Sequence, residues 1–300
     1  MKAARFSRFG GPEVLEIVDL PVPHPGPGQI RIAVRAAGVN ASDWKKRQGL
    51  MDEELPQTLG HEAAGVVDAL GEGVDDVAVG DRVFGFSEEG AAQAESAVLS
   101  HYAPIPPSLD FAAAAGLPAA LETAMRALDQ LGVSHDSTVL INGASGSVGS
   151  AAVQLAAARG ARVIGTAGPA NHDYLRSLGA EPVAYGEGLV DRVRALAPHG
   201  VDLALDVAGS GVLPDLIGLA GGPEHVVTLA DFAGARDHDV RFSRGDTGRA
   251  VHVLDEIGAL IETGRYVPPA VRTFPLADIA QAHRVGERGG VRGKLVLVVD

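Results

Sequence analysis

The chain has 300 residues, of which 46% are hydrophobic and 21% charged, enough apolar material for one large domain or two smaller ones. Its formal charge is −13, and its densest basic run, Lys45-Lys46-Arg47, is too short to imply a nucleic-acid partner. The absence of cysteine excludes disulfides, thiolate metal sites and cysteine nucleophiles. Residues 1–19 hold no apolar core of signal-peptide length, and no window approaches ~18 uninterrupted apolar residues. No membrane span is therefore expected, and the cytoplasm is the expected compartment.

Residues 1 to about 110 read as strands and turns, with Gly10-Gly11-Pro12 and Pro21 to Gly28 as punctuation. Ile30 to Val39 alternates with a period near two, as a half-buried strand should. Ala63 to Leu70 and Asp81 to Phe86 are further strand candidates. Asn40 to Gln48 reads as a short helix capped by Asn40 or Ser42 and stopped by Gly49. Ala112 to Leu131 turns helical.

From Ser137 the rhythm changes to strand–helix alternation. Strands are expected at 138–142, 162–166, 182–184, 202–206, 225–229 and 239–242, with helices at 147–159, 171–178, 188–197 and 209–219. That pattern predicts an α/β domain with a parallel, doubly wound sheet. A long helix is expected at 247–263. Strand-like runs at 270–274 and 294–299 are expected to return to the N-terminal β domain.

The most informative stretch is Val139 to Gly149, an apolar strand running into a Gly-rich turn that opens an Ala-rich helix. Glycines let backbone N–H groups approach a pyrophosphate, and the helix N-terminus favours its negative charge. Gly143, Ala144, Ser145, Gly146, Ser147, Val148 and Gly149 are the expected cofactor loop. A Gly-rich triplet alone also marks a plain tight turn, but the flanking strand and helix favour a dinucleotide. At the end of the second strand no acid stands between Val163 and His172. An acid there holds the ribose of NAD and repels a 2′-phosphate, so its absence favours NADP. Thr166, Asn171 and His172 are the candidate phosphate donors, although His172 also suits a surface position in the next helix.

The chain resembles the medium-chain dehydrogenase/reductase superfamily, and within it the zinc-independent quinone oxidoreductases. The likeness rests on Phe9 to Leu15, Ala37-Gly38-Val39-Asn40-Ala41-Ser42-Asp43-Trp44, Leu59-Gly60-His61-Glu62-Ala63-Ala64-Gly65, Val79 to Gly85, the glycine loop and Arg292-Gly293-Lys294-Leu295-Val296-Leu297. It implies a GroES-like, partly open β-barrel catalytic domain built from residues 1–117 and 265–300. A Rossmann cofactor domain over 118–264 would lie between those segments.

The three catalytic zinc ligands of metal-dependent relatives match Asn40, His61 and Ala119, so no metal is expected. His61 alone suits a structural hydrogen bond, a substrate contact or a metal ligand. The resemblance places Asn40 beside the nicotinamide, Thr123 under its ring, and Arg292 and Lys294 among the cofactor contacts. Thr123 equally suits a buried helix position. Ser42 matches a proton-relaying hydroxyl or is a helix cap, and Lys45 is a candidate proton donor or part of a solvated helix face. No tyrosine follows the first helix where many relatives carry one.

The expected function is NADPH-dependent, zinc-independent hydride transfer to quinones or α,β-unsaturated carbonyls. Alternatives are an enoyl reductase or cyclase tailoring a biosynthetic product, and a non-catalytic NADP-binding sensor. The resemblance also implies a homodimer paired through the strand near Asp239 to Ser243.

Overall fold

The computed structural model describes residues 1–87, 90–245 and 248–299. They form two compact units, one of residues 1–119, 254–262 and 268–300, the other of residues 120–253 and 263–267.

The first unit begins with β1 (Lys2–Phe6), β2 (Glu16–Asp19), β3 (Ile30–Val39) and helix α1 (Ala41–Arg47). There follow β4 (Gln57–Thr58), β5 (Glu62–Leu70), β6 (Arg82–Phe86), β7 (Ser96–Leu99), β8 (His101–Pro104) and α2 (Phe111–Ala115). The long helix expected at 112–131 is two helices. It breaks at Gly116, and α3 (Pro118–Leu131) restarts at a proline that has no N–H to lose in a first turn.

The second unit continues with β9 (Thr138–Asn142), α4 (Ser147–Ala158), β10 (Arg162–Thr166), α5 (His172–Ser177), β11 (Ala180–Val183) and α6 (Leu189–Leu196). It closes with β12 (Leu203–Asp206), α7 (Leu213–Ala220), β13 (Val226–Thr228), α8 (Phe232–Asp237) and β14 (Arg241–Phe242). The helix expected from 209 starts only at Leu213, because Gly209, Ser210 and Gly211 all hold left-handed backbone with φ of +73°, +73° and +69°. The chain then adds α9 (Val253–Glu262), β15 (Val271–Pro275), α10 (Ile279–Glu287) and β16 (Lys294–Val298). Helix α9 is shorter than the 247–263 expected; Thr247 lies outside the described residues. Most of α9 clusters with the first unit. Helices α8 and α10 have no counterpart among the expected elements.

In the second unit, six strands order as β11-β10-β9-β12-β13-β14, every pair parallel. The order reverses between β9 and β12, which is where an open α/β sheet leaves a crevice at its carboxyl edge. The central strands β9 and β12 are mostly apolar and buried at every residue after the first, as strands covered on both faces must be. Leu140, Ile164, Val193, Leu213, Leu216 and Val226 anchor one core layer.

In the first unit, seven strands form a mixed sheet around β3, ordered β15-β16-β3-β5-β6-β8, with β7 also on β3. Strand β3 alternates over Ile30 to Arg35, with Ile30, Ile32 and Val34 buried, Arg31 and Ala33 half-buried and Arg35 exposed, then is buried at every residue from Ala36 to Val39. There β16 and β5 flank it and α2 packs across it. A separate three-stranded sheet, β2-β1-β4, packs Ala4 and Phe6 with Leu59, Phe274 and Ile279.

His283 on α10 is wholly buried, with the Trp44 ring edge-on at 6.2 Å, and neither of its ring nitrogens has a hydrogen-bond partner among the described residues. Burial, helped by the Arg47 guanidinium, pushes its pKa from the ordinary 6.5 down to about 3. Between those values the unfolded chain takes a proton that the folded chain refuses. Stability therefore falls as pH drops below 6.5. Replacing His283 by Leu removes this term. Relative to wild type the variant is expected to gain up to about 1.4 kcal/mol for each pH unit below the ordinary value. Urea melts from neutral pH downward check this, and parallel curves for the two proteins would contradict it.

Candidate functional site

Four adjacent parallel strands of the second unit end in a polar residue: Thr166 on β10, Asn142 on β9, Asp206 on β12 and Thr228 on β13. Their side chains hydrogen-bond in that order. Thr166 Oγ1 donates to Asn142 Oδ1 at 2.7 Å, and Asn142 Nδ2 donates to Asp206 Oδ1 at 2.9 Å. Thr228 Oγ1 donates to Asp206 Oδ2 at 2.7 Å. All four are at least 95% buried, so the row satisfies polar groups that would otherwise be costly there. It also sets the loops that leave the sheet. Gly143 N donates to Thr166 Oγ1 at 3.0 Å, and Gly209 N donates to Asp206 Oδ1 at 2.8 Å.

The expected cofactor loop follows from this anchor. Gly143 turns the chain with φ of +82°, in a region that favours glycine. Gly149 has no room for a side chain: a Cβ there would stand 2.2 Å from Gly143 O and 2.8 Å from Ala144 Cα. Gly146 differs. It is the N-cap of α4, and the nearest atom to a Cβ there is Gly143 O at 3.7 Å. The protein itself leaves the flank of Gly146 open, at the end of a 12-residue helix whose first amides have no intrahelical acceptor. Ser147 Oγ, at the first helical residue, is buried with no hydrogen-bond partner among the described residues. An open flank, free helix amides and an orphaned hydroxyl fit a pyrophosphate.

Thr166 is 1% exposed and its hydroxyl is committed to Asn142 and Gly143, so it shapes the loop from inside. Asn171 Nδ2 lies 3.5 Å from Ser145 Oγ, and His172 Nε2 lies 3.2 Å from Ala167 O. Thr123 is half-buried on α3, with Oγ1 3.5 Å from Glu122 Oε2. Sequence reasoning passed over Tyr185, which is 65% exposed, with a ring carbon 3.8 Å from the Cβ position at Gly168.

In the first unit the centre is Glu62, at the start of β5 and wholly buried. Its Oε1 is 2.6 Å from Lys294 Nζ and accepts from Asn40 Nδ2 at 2.8 Å. Its Oε2 accepts from Ala119 N at 2.7 Å. Lys294 Nζ also donates to Asn40 Oδ1 at 2.5 Å. Lys294 is only 4% exposed, and its ammonium is held by Glu62 and Asn40. Asp43 Oδ2 accepts from Asn40 N and from Gln93 Nε2, at 2.8 and 3.0 Å. Burial pushes the Asp43 carboxyl up to about 6 against these hydrogen bonds. Glu62 carries a signal that was open to sequence reading: a lone acid in the apolar run Glu62-Ala63-Ala64-Gly65-Val66-Val67 needs a buried partner.

Asn40 is the N-cap of α1, which leaves Ser42 half-buried in the first turn rather than capping. Lys45 is exposed. Arg292 is exposed too, and lines a pocket of about 450 Å³ with Arg272, Arg288 and Gln281.

The positions matching zinc ligands do not fit a zinc. Ala119 offers no donor atom, and the Asn40 amide is engaged at both ends. Among the described residues no group of three or more ligating side chains converges. No helix is long and apolar enough to cross a membrane, among the described residues.

The alcohol dehydrogenase GroES-like domain family matches residues 26–114, and the zinc-binding dehydrogenase family matches residues 178–297. Rat quinone oxidoreductase is 32% identical over 324 aligned positions, covering 100% of this chain and 98% of the relative. The structure of the quinone oxidoreductase from Coxiella burnetii aligns with a TM-score of 0.85 and 32% identity, over 100% and 99% of the two chains. A Streptomyces orinoci protein, spectinabilin polyketide synthase system protein NorB, is 35% identical over 98% of this chain, which spans 14% of that protein's length. The chain therefore belongs to the medium-chain dehydrogenase/reductase superfamily, in its quinone oxidoreductase-like branch. It has a GroES-like and a Rossmann fold, and the family implies a nicotinamide cofactor.

The two loop glycines separate fold from binding. Gly146→Ala is expected to leave the melting temperature unchanged while weakening dinucleotide binding. Gly149→Ala is expected to destabilise the protein, because backbone atoms must move. Melting curves and cofactor titration of both variants check this. Metal analysis of the purified protein is expected to find no stoichiometric zinc.

Proposed function

We propose that this protein is an NADPH-dependent, zinc-independent reductase of quinones or α,β-unsaturated carbonyls. The observation that carries the reading is the donor set in the first unit. Asn40 and Ala119 stand at two of three zinc-ligand positions, so activation of the acceptor falls to hydrogen bonds. Quinones and conjugated carbonyls are electrophilic enough to react on those terms.

A bound nicotinamide dinucleotide supplies a hydride from its C4 carbon. The α4 N-terminus and the open flank of Gly146 take the pyrophosphate, with Ser147 Oγ as a further donor. Beyond β10, the stretch Ala167 to His172 carries no acid to repel a 2′-phosphate; Asn171 lies within it and the exposed Tyr185 borders it at Gly168. This favours NADPH over NADH. Asn40 serves the reacting end.

A second reading is an enoyl reductase on a polyketide-like acyl chain. It is favoured by the 35% identity to the Streptomyces polyketide synthase component. The two readings share the cofactor and differ in the acceptor.

Purified protein is mixed with NADPH or NADH and a panel of quinones, simple enones and enoyl thioesters. Oxidation of NADPH in preference to NADH with quinones or enones is the expected result. Turnover confined to enoyl thioesters would establish the second reading. Bound cofactor with no oxidation across the panel would overturn both.

A further inference from the structure

The Asn40 side chain is held at both ends by groups of opposite character. Lys294 offers only donors and the Glu62 carboxylate only acceptors. With Oδ1 2.5 Å from the ammonium and Nδ2 2.8 Å from the carboxylate, only one amide orientation is allowed. The flipped amide would set N–H against ammonium and carbonyl against carboxylate. This pair leaves a specific remainder. An amide nitrogen carries two hydrogens, and Glu62 takes one. No second acceptor for Nδ2 lies among the described residues, and Asn40 is only half-buried. The ammonium on Oδ1 also draws electron density from the amide, which strengthens the remaining N–H as a donor.

We propose that the second Nδ2–H of Asn40 is the donor that receives the acceptor's carbonyl oxygen as it gains negative charge, with Glu62 and Lys294 as the positioning residues that aim it. The inference rests on the reductase reading above, which places the reacting end at Asn40. Hydride addition to a conjugated carbonyl pushes an electron pair onto that oxygen, and a preorganised donor lowers the cost. Loss of one such donor slows turnover by about 10²- to 10³-fold. Asn40 would be a catalytic residue on this account. Glu62 and Lys294 act through it, and their opposite charges leave the donor in a locally neutral setting.

The test uses substituted phenolates, stable oxyanions of graded basicity, titrated into protein loaded with NADP⁺ at a pH where all are ionised. In wild type, affinity is expected to rise with the basicity of the phenolate. Asn40→Ser is expected to bind at least about tenfold more weakly and to lose that dependence, in line with the loss of one charge-assisted donor. The double variant Glu62→Gln/Lys294→Met removes both partners of the buried ion pair together, which spares the fold the stranded charge that either single change would leave at that pair. It is expected to lose the dependence as well, while Lys294→Arg retains it. Wild-type affinity and slope in the Asn40→Ser variant would overturn the proposal, and so would failure of wild type to bind any phenolate. Turnover by wild type is read separately. Turnover with a flat phenolate series retires the donor and keeps the reductase reading, whereas a sloped series without turnover does the reverse.

Discussion

A carboxylate with no exposed surface sets the terms for the first unit. A buried charge costs several kcal/mol unless it is paired and hydrogen-bonded. Glu62 meets that requirement with groups drawn from distant parts of the chain: the side-chain amide that follows β3, the Ala119 N–H in the first turn of α3, and the ammonium that opens β16. The demand fixes more than one contact. A Cβ at Gly38 would stand 2.1 Å from Glu62 Oε1, so the neighbouring strand needs glycine opposite the carboxylate. It also favours one strand register. Pairing of Leu295 with Val39 sets Lys294 beside Asn40, and a slip of one residue would turn the ammonium to the other face and strand two charges.

The glycine loop shows a different division of labour. Gly149 is required by the protein's own packing, since Gly143 and Ala144 fill the space its side chain would need. Gly146 answers to nothing in the protein and has room to spare. Below the loop, the row from Thr166 to Thr228 converts four strand ends into one hydrogen-bonded rail, so the loop's first amide is tied to the sheet rather than to solvent.

Much of this was legible in the sequence. Most of the parallel strands announce themselves as short apolar runs between Gly and Pro punctuation, and their boundaries fall within a few residues of expectation. Helix α10 escaped because His283 and Gly286 interrupt its apolar stripe and two strand-like runs flank it. Helix α8 is six residues long with Gly234 inside it, too short for a period to show. The cofactor loop was readable because its chemistry is local. The Glu62 cluster was readable only in part. Asn40 and Lys294 were singled out from motifs, but a sequence does not show that the two side chains meet, nor that a buried acid between them decides which way the amide points.

Strand β16 lies between β15 and β3, so the sheet of the first unit is incomplete until the chain's last hundred residues have emerged and come back to its first forty. The second unit has no such debt, since nearly all of it is continuous in sequence. Closing a loop costs entropy that grows with the length of flexible chain to be closed. An intervening segment that has already folded shortens that length. The order of events during synthesis follows: the parallel sheet forms as a continuous piece, and the mixed sheet waits for its final strand. Until Lys294 arrives, Glu62 is a nascent-chain acid without its cation, and the β strands around it remain an unfinished edge.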